Sequence, residues 1–272
     1  MLSKLGILAG GGLLPVRVID ACRATGRAFF VLAFEGHTDP ATVTGVPHAW
    51  VRLGAVGEAL QRLREAGVKD VVMAGPVLRP SFDELRPDWR GALFLAKIGV
   101  RALGDDGILS AVVRELESEG FHVVGADDIF NGLRTPEGLC GRHTPDESAW
   151  SDIARGIEVV RAIGAVDVGQ AAVVQQGIVL GVEAIEGTDA LLERCGPLRR
   201  QGRGGVLVKI SKPGQERRVD LPTIGVDTVS RAAAAGLRGI ALEAGGTLII
   251  DRPAVAHAAD QAGLFVIGVK VG

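Results

Sequence analysis

The residues whose types could support chemistry are concentrated on three turns in the second half of the chain. Residues 182–190, VEAIEGTDA, carry three carboxylates and a glycine. Lys209 and Lys212 stand at the end of the apolar run VLVKISK, and residues 220–228, DLPTIGVDT, place further carboxylates around a Pro/Gly turn. In phosphoryl chemistry, carboxylates hold Mg²⁺, the ion neutralises phosphate charge and a basic side chain stabilises the leaving oxygen. The pattern therefore predicts Mg²⁺-assisted chemistry on a phosphate.

A second interpretation of these turns stays open. Thr188 and Asp227 stand where helices are predicted to begin, as residues that cap helices do. Lysines are usually solvated, so Lys209 and Lys212 need no ligand to explain them. Each residue alone fits this interpretation, whereas the group, with a turn on both carboxylate runs, favours a site. Gln170, just before a predicted hairpin, joins the group.

A glycine turn near the start of the chain is a separate candidate for ligand binding. Gly10, Gly11 and Gly12 separate an apolar run from a helical pattern. Glycines let a backbone approach a ligand, and the free amides at the start of a helix favour an anion. However, Pro15 stands where the dinucleotide fingerprint GxGxxG requires its third glycine. A tight turn followed by a helix-starting proline explains the motif equally well.

The segment AGPVLRP, residues 74–80, follows a later apolar run and provides Gly75 and Arg79. Open α/β sheets bind ligands at the carboxyl ends of their strands, so both residues are predicted to face a ligand. The turn GDDG, residues 104–107, also carries a pair of carboxylates. A helix cap explains this pair better than a binding site does.

Composition and missing motifs exclude several other classes of protein. The net charge of −2 provides no basic field for nucleic acid, and aromatic residues, at 4% of the chain, are too few for stacking on bases. The five histidines lack HExxH or HxH spacing, and GxSxG is absent, so zinc and serine hydrolases are disfavoured. The three cysteines are widely spaced, as is typical of reduced cytosolic thiols. We expect a cytoplasmic protein that does not cross a membrane.

The elements that must position these residues alternate between strand and helix. In the first half this alternation predicts a Rossmann-like open parallel sheet that is covered on both faces. Pro and Gly interrupt the periodicity around residues 133–147, and a second α/β unit follows. The predicted organisation is therefore an N-terminal domain over residues 1–133, a linker over 134–147 and a C-terminal α/β domain over 148–272.

Several sequence blocks, spread over the whole chain, carry a family resemblance. They are LAGGGLLP, AGPVLRP, GDDGIL, DVGQAAVV, GVEAIEGTDALLERC, GVLVKISKPGQERRVDLPTIGVDTV and AADQAGLFVIGV. The chain resembles the LpxI-type UDP-2,3-diacylglucosamine pyrophosphatases of lipid A biosynthesis, and EGTDA, LVKxxKP and DLPTIG in this order are the most specific marks.

The resemblance implies a two-domain enzyme that binds its lipid in a cleft between the halves. The implied reaction is hydrolysis of UDP-2,3-diacylglucosamine to UMP and 2,3-diacylglucosamine 1-phosphate, known as lipid X. Water would attack the phosphorus on the sugar side, and Mg²⁺ would be the cofactor. The implied partners are this substrate and the surface of the inner membrane, with no nucleic acid, and we expect a homodimer.

Residue roles are carried over from the resemblance by position. Asp227 would be essential for catalysis, acting through the metal, and Asp189 and Glu183 would be further metal ligands or would position water. Lys209, counted as catalytic, and Lys212 would hold the diphosphate. The remaining predicted substrate contacts are Thr188, Gln170, Thr223, Gly10, Gly11, Gly12, Gly75 and Arg79.

Two alternatives from other classes remain. One is a module that binds a nucleotide sugar or lipid without catalysis and whose carboxylates only cap helices. The other is a nucleotide-sugar transferase or dehydrogenase that uses the N-terminal glycine turn, against which the incomplete fingerprint stands. The calcineurin-like metallophosphoesterases that catalyse the same step need DxH, GDxxD and GNH motifs, and none of these occurs in the sequence.

Overall fold

The chain of 272 residues folds into two compact units in a computed structural model that describes residues 2–77, 85–98, 105–129, 132–213 and 216–272. The first unit comprises Met1–Asn131 and Glu216–Asp220, and the second comprises Gly132–Gln215 and Leu221–Gly272. The chain therefore returns to the first unit once, for five residues, after it has entered the second. This return was not predicted from the sequence.

The first unit is built on a parallel sheet of five strands in the order β3-β2-β1-β4-β5. The strands are β1 (Leu5–Ala9), β2 (Phe29–Phe34), β3 (His48–Val51), β4 (Asp70–Ala74) and β5 (His122–Val123). The helices are α1 (Leu14–Thr25), α2 (Val56–Glu65), α3 (Trp89–Ile98), α4 (Asp105–Ser118) and α5 (Ala126–Ile129), with a 3₁₀ turn at Pro40–Val43. Every residue of β1 is buried, as the central strand of a covered parallel sheet requires. The predicted open parallel sheet is confirmed.

The segment that returns to this unit is held by one apolar and one ionic contact. Val219 packs against a core cluster that includes Leu63 and Val113. The Arg218 guanidinium lies 2.6 Å from a carboxylate oxygen of Glu117 on α4. Residues 216–220 therefore belong to the first unit through side-chain packing, although the residues before and after them in the chain belong to the second.

The second unit contains a mixed sheet of six strands in the order β6-β13-β11-β9-β7-β8 and a parallel pair, β10-β12. Strands β9, β11 and β13 are parallel to one another, whereas β7 runs antiparallel to β9 and β8, and β6 antiparallel to β13. The strands are β6 (Gly138–Leu139), β7 (Ala171–Gln175), β8 (Ile178–Val182), β9 (Val206–Lys209), β10 (Thr223–Ile224), β11 (Gly239–Glu243), β12 (Leu248–Ile249) and β13 (Phe265–Val269).

Helices cover both faces of this mixed sheet. They are α6 (Glu147–Ala165), α7 (Gly187–Cys195), α8 (Val226–Ala234) and α9 (Arg252–Ala262), with a 3₁₀ turn at Gly196–Leu198. Leu207 of β9 packs in one core cluster with residues of α7, α8 and α9, whereas its neighbour Val208 packs in another with residues of α6. This alternation follows from the twofold period of side chains along a strand. The predicted α/β character of the C-terminal half is confirmed.

Two differences from the predicted elements concern this unit. Residues 134–147, predicted as a linker, lie in the second unit, and β6 within them pairs with β13. Strand β11 was not predicted at all, although it lies between β9 and β13. Within the described ranges of the chain, no helix is long and apolar enough to cross a membrane.

Candidate functional site

The topology of the second unit brings polar residues to one edge of its mixed sheet. Strands β8, β9 and β11 end at this edge, and β7, which runs the other way, begins there. We call it the carboxyl edge. Gln170 precedes β7, Glu183 follows β8, Lys209 ends β9 and Glu243 ends β11. Three of these four were predicted site residues, and the sheet explains why they meet.

A chain of hydrogen bonds joins Lys209, Thr188 and Glu183 at the carboxyl edge. Lys209 Nζ donates to Thr188 Oγ1 at 2.6 Å, and this hydroxyl donates to Glu183 Oε1 at 2.5 Å. The backbone N–H of Gln170 donates to Glu183 Oε2 at 3.0 Å. Lys209 is 6% exposed and Glu183 is 5% exposed. Four predicted site residues are therefore joined in one largely buried network.

Local backbone geometry places the two ends of this network together. Gly187, the first residue of α7, has a φ of 77°, which turns the chain from β8 into the helix that carries Thr188. A Cβ on Gly169 would overlap the carbonyl oxygen of Glu183. The missing side chain of Gly169 therefore allows the start of β7 to approach the end of β8, and the positive φ of Gly187 allows the turn into the helix that carries Thr188.

Two residues that follow β9, Ser211 and Lys212, are each held by a carboxylate from another part of the unit. Lys212 Nζ lies 2.7 Å from an oxygen of Asp167, and Lys212 is 9% exposed. Ser211 donates to Glu243 Oε2 from its backbone N–H at 2.8 Å and from its hydroxyl at 2.5 Å. Asp167, Ser211 and Glu243 were not among the residues predicted from the sequence. Glu243 could have been found, because it is a polar residue that ends an apolar run, as Lys209 is.

Asp227 lies in the first turn of α8, but it does not cap that helix. The N–H of Gly225 donates instead to the hydroxyl of Thr228 at 3.4 Å. Asp227 is exposed, and its carboxylate has no hydrogen-bond or ion-pair partner among the residues that the structure describes. The capping interpretation of Asp227 therefore does not explain it, and its predicted catalytic role stays a prediction.

The other predicted site residues lie outside the network of Lys209. Asp189 is exposed on α7 and its carboxylate lies 3.3 Å from Nε of Arg231 on α8. The hydroxyl of Thr223 donates to the carbonyl of Leu221 at 3.0 Å. Arg79 lies outside the described residues. In the described ranges, neither the Asp189 carboxylate nor the Thr223 hydroxyl has a hydrogen bond or ion pair to Lys209, Thr188 or Glu183.

The three carboxylates predicted to bind Mg²⁺ do not form a metal centre. In the described part of the chain, no group of three or more His, Cys, Asp or Glu residues could hold a metal ion. Both oxygens of Glu183 accept hydrogen bonds, Asp189 pairs with Arg231, and Asp227 is separately exposed. These residues do not fit an Mg²⁺ site built by protein ligands, so no catalytic step is assigned to a bound ion. The Mg²⁺ requirement stays a prediction.

The glycine turns of the first unit have a packing role. The N–H of Gly10 donates to the carbonyl of Ala74, the last residue of β4, and the N–H of Gly11 donates to the carbonyl of Pro76, both at 2.8 Å. A Cβ on Gly10 would overlap the carbonyl of Pro76, and one on Gly75 would overlap that of Gly11. Gly75 and Gly12 also have φ angles of 87° and 73°. Two loops thus bind each other directly, which uses two of the amides predicted to contact a ligand.

Comparison with known proteins decides the family. The LpxI N-terminal domain matches residues 4–133, and the LpxI C-terminal domain matches residues 136–267. A protein of Caulobacter vibrioides named UDP-2,3-diacylglucosamine pyrophosphatase LpxI is 47% identical over 98% of both chains. This chain belongs to the LpxI family. The resemblance drawn from the sequence blocks is confirmed, and so is the two-domain LpxI organisation.

Solved structures add little to the LpxI assignment. CobK precorrin-6A reductase matches over 100% of this chain and 89% of its own, at 13% identity and a TM-score of 0.36. The UDP-glucose 4-epimerase of Thermus thermophilus matches over 99% and 85%, at 16% identity and a TM-score of 0.32. Similarity at these levels indicates neither a shared site nor a shared reaction.

Proposed function

We propose that this LpxI-family protein hydrolyses the diphosphate of UDP-2,3-diacylglucosamine to UMP and lipid X. The observation that carries the proposal is the 47% identity, over 98% of both chains, to a protein named for this activity. Because the similarity extends through both LpxI domains, it includes every predicted site residue of the chain.

The chemistry of the carboxyl edge supports a diphosphate as the ligand. An ammonium group has three N–H donors. Lys209 uses one of them on Thr188 and, within the described residues, has no carboxylate within 4.0 Å. A buried cation without a directly bonded carboxylate attracts an anion strongly, because the surroundings screen its charge less than water does. We assign Lys209 to the phosphate oxygens.

Asp227 is the residue we assign to the attacking water. Its carboxylate has no partner in the described part of the chain, so it is available to accept a proton. Water would attack the sugar-side phosphorus, the bond from this phosphorus to the bridging oxygen would break, and UMP would leave. The proton lost by water would pass to Asp227. Mg²⁺, if required, would be carried by the substrate phosphates, as is common for this ion.

The activity is tested with purified protein, UDP-2,3-diacylglucosamine and detection of both products by mass spectrometry. Running the reaction in H₂¹⁸O identifies the phosphorus that is attacked. We expect one ¹⁸O atom in lipid X and none in UMP, and loss of both products in Asp227→Asn. Binding of the substrate without release of UMP, with Mg²⁺ present, would support a non-catalytic module instead.

We also propose that the protein works at a membrane surface from the cytoplasm, because the proposed substrate carries two acyl chains. Ile185 is 91% exposed and lies two residues from Glu183, and Val166 is 70% exposed beside the Asp167 that binds Lys212. Exposed apolar side chains of this kind can enter the interface of a bilayer. Sedimentation with vesicles, with Ile185→Ser as the variant, tests this contact. Light scattering tests the expected homodimer.

A further inference from the structure

We propose that Glu183 is a positioning residue that acts through Thr188 on Lys209, and not a ligand of a metal ion. The proposal rests on the proposed diphosphate hydrolysis, and it assigns a new role to a carboxylate at the carboxyl edge. It follows from the direction of the hydrogen bonds, from the burial of both ends of the network and from a comparison of the two lysines.

The direction of the hydrogen bonds is fixed by the chemistry of the three groups. An ionised carboxylate only accepts and an ammonium only donates, whereas a hydroxyl has one proton to give. The Thr188 proton therefore points to Glu183 Oε1, and the Thr188 oxygen lone pair receives Lys209 Nζ. One N–H of the ammonium is thereby directed at Thr188, and the ammonium has no direct bond to a negative charge among the described residues.

The surroundings of Glu183 leave little room for a hydrated ion. One oxygen accepts from Thr188 and the other from the Gln170 backbone, and the residue is 5% exposed. Mg²⁺ demands near-octahedral coordination and usually keeps several waters. Such an ion would compete with the Thr188 hydroxyl and the Gln170 N–H for the Glu183 oxygens, and so with the contact that orients the hydroxyl for Lys209.

The positive charges of Lys209 and Lys212 are compensated in different ways. Lys212 is bonded directly to the carboxylate of Asp167 at 2.7 Å. Lys209 reaches Glu183 only through the hydroxyl of Thr188. Because a directly bonded carboxylate neutralises much of the ammonium charge that would attract a phosphate, the bridged arrangement leaves Lys209 with the stronger attraction for an anion. The negative charge of Glu183, one hydroxyl away, still offsets the cost of burying the Lys209 ammonium.

Substitutions at Thr188 and Glu183 test the proposal by hydrolysis of UDP-2,3-diacylglucosamine. Thr188→Ser keeps the hydroxyl and should stay within about twofold of the wild-type kcat/KM, whereas Thr188→Val keeps the shape and should lose about 10-fold to 100-fold, the range for a hydrogen bond to a charged group. Glu183→Gln should also lose activity. If the residues act as one unit, the double variant should be no worse than the poorer single variant.

A titration with Mg²⁺ separates positioning from metal binding. In Glu183→Gln, the Mg²⁺ concentration that gives half-maximal rate should equal that of the wild type, although the maximal rate falls. Glu186→Gln is the matched control, since Glu186 is paired with Arg194 at 2.8 Å and has no part in the network. A tenfold or greater rise in the half-maximal Mg²⁺ concentration for Glu183→Gln alone would overturn the proposal. Wild-type activity in Thr188→Val would overturn it as well.

A binding measurement keeps this proposal separate from the proposed function. Calorimetric titration with inorganic pyrophosphate in EDTA reports the phosphate contact of Lys209 without catalysis or metal. We expect weaker binding in Thr188→Val and Glu183→Gln, and near wild-type binding in Thr188→Ser. If the wild type binds pyrophosphate in this pattern but releases no UMP, only the proposed function fails. If the wild type is active and the variants bind pyrophosphate equally well, the positioning role fails.

Discussion

Removal of the Asp152 carboxylate is expected to destabilise the second unit without changing catalysis. Asp152 lies on α6 and is fully buried. One of its oxygens accepts from the N–H of Gly177 at 2.8 Å, and the other lies 2.8 Å from the Arg238 guanidinium. Arg238 is also bonded to Asp146, at 2.9 Å. Gly177 follows β7 and Arg238 precedes β11, so this network is at the sheet edge opposite to the carboxyl edge.

The size of the effect follows from what each substitution leaves behind. Loss of one partner from a buried ion pair costs about 3–5 kcal/mol. In Asp152→Ala the half-exposed Asp146 still compensates Arg238, so we expect a loss of about 2–3 kcal/mol from the free energy of unfolding. Asp152→Asn keeps an acceptor for Gly177 and loses only the charge, for which about 1–2 kcal/mol is expected. At roughly 3 °C for each kcal/mol, Asp152→Ala should lower Tm by about 6–9 °C.

Thermal and urea unfolding measure this loss, and UMP release at 25 °C measures catalysis. Glu158→Gln is the control on the same helix, because Glu158 is exposed and its ion-pair partner among the described residues is Arg155, at 2.9 Å. Such a surface pair contributes about 0–1 kcal/mol. The reasoning is refuted if Asp152→Ala unfolds like Glu158→Gln, or if its kcat falls while its fold is intact.

Three further predictions concern activity, backbone geometry and pH. Asp227→Asn should lose at least about 100-fold in kcat with an unchanged Tm, as is expected when a general base is removed. Asp189 is paired with Arg231, so Asp189→Asn should lose less. Equal losses in the two variants would contradict the assignment. Gly75→Ala should lower the free energy of unfolding by about 2 kcal/mol or more, because Gly75 has a φ of 87° and a Cβ there would overlap the carbonyl of Gly11. A free energy of unfolding within about 0.5 kcal/mol of wild type would contradict this. The backbone hydrogen bond from Ala149 lowers the pKa of Asp146 in the folded protein. The Asp146 carboxylate therefore stabilises the fold above about pH 4, and this stabilisation is lost as pH falls through the pKa of Asp146 in the folded state. The unfolding free energies of Asp146→Asn and wild type should converge at low pH in acid unfolding experiments.

Much of the fold follows from local signals in the sequence. The apolar run at residues 171–175 predicts a strand and the helical spacing of apolar residues at 14–25 predicts a helix, and these are the bounds of β7 and α1. Both are long apolar or amphipathic patterns with clear ends, such as Gly26, which adopts a φ of 66° after α1. Where burial pattern and turn chemistry agree, the sequence alone is sufficient.

Strand β11 shows where local signals fail. Its sequence, GIALE, contains Ala, Leu and Glu, which are good helix formers. It becomes a strand because it pairs with β9 on one side and β13 on the other, and such pairing depends on the whole unit. Missing β11 also hid Glu243 from the predicted site.

The candidate site was predictable as a set of residues but not as a set of bonds. The order of the strands explains why Glu183 and Lys209 lie at one edge. The sequence did not reveal that Thr188 stands between them, because this depends on side-chain rotamers. The partners of Lys212 and Asp189, which are Asp167 and Arg231, were equally invisible, since they come from other elements.

The return of residues 216–220 to the first unit affects how the protein can be divided. Cutting at the boundary between the LpxI domains would yield a C-terminal fragment in which Val219 has lost its apolar cover and Arg218 has lost Glu117. Exchange of one half between relatives would meet the same obstacle, because the incoming half must also match this five-residue insert. The N-terminal half therefore depends on five residues that the C-terminal half of the sequence supplies.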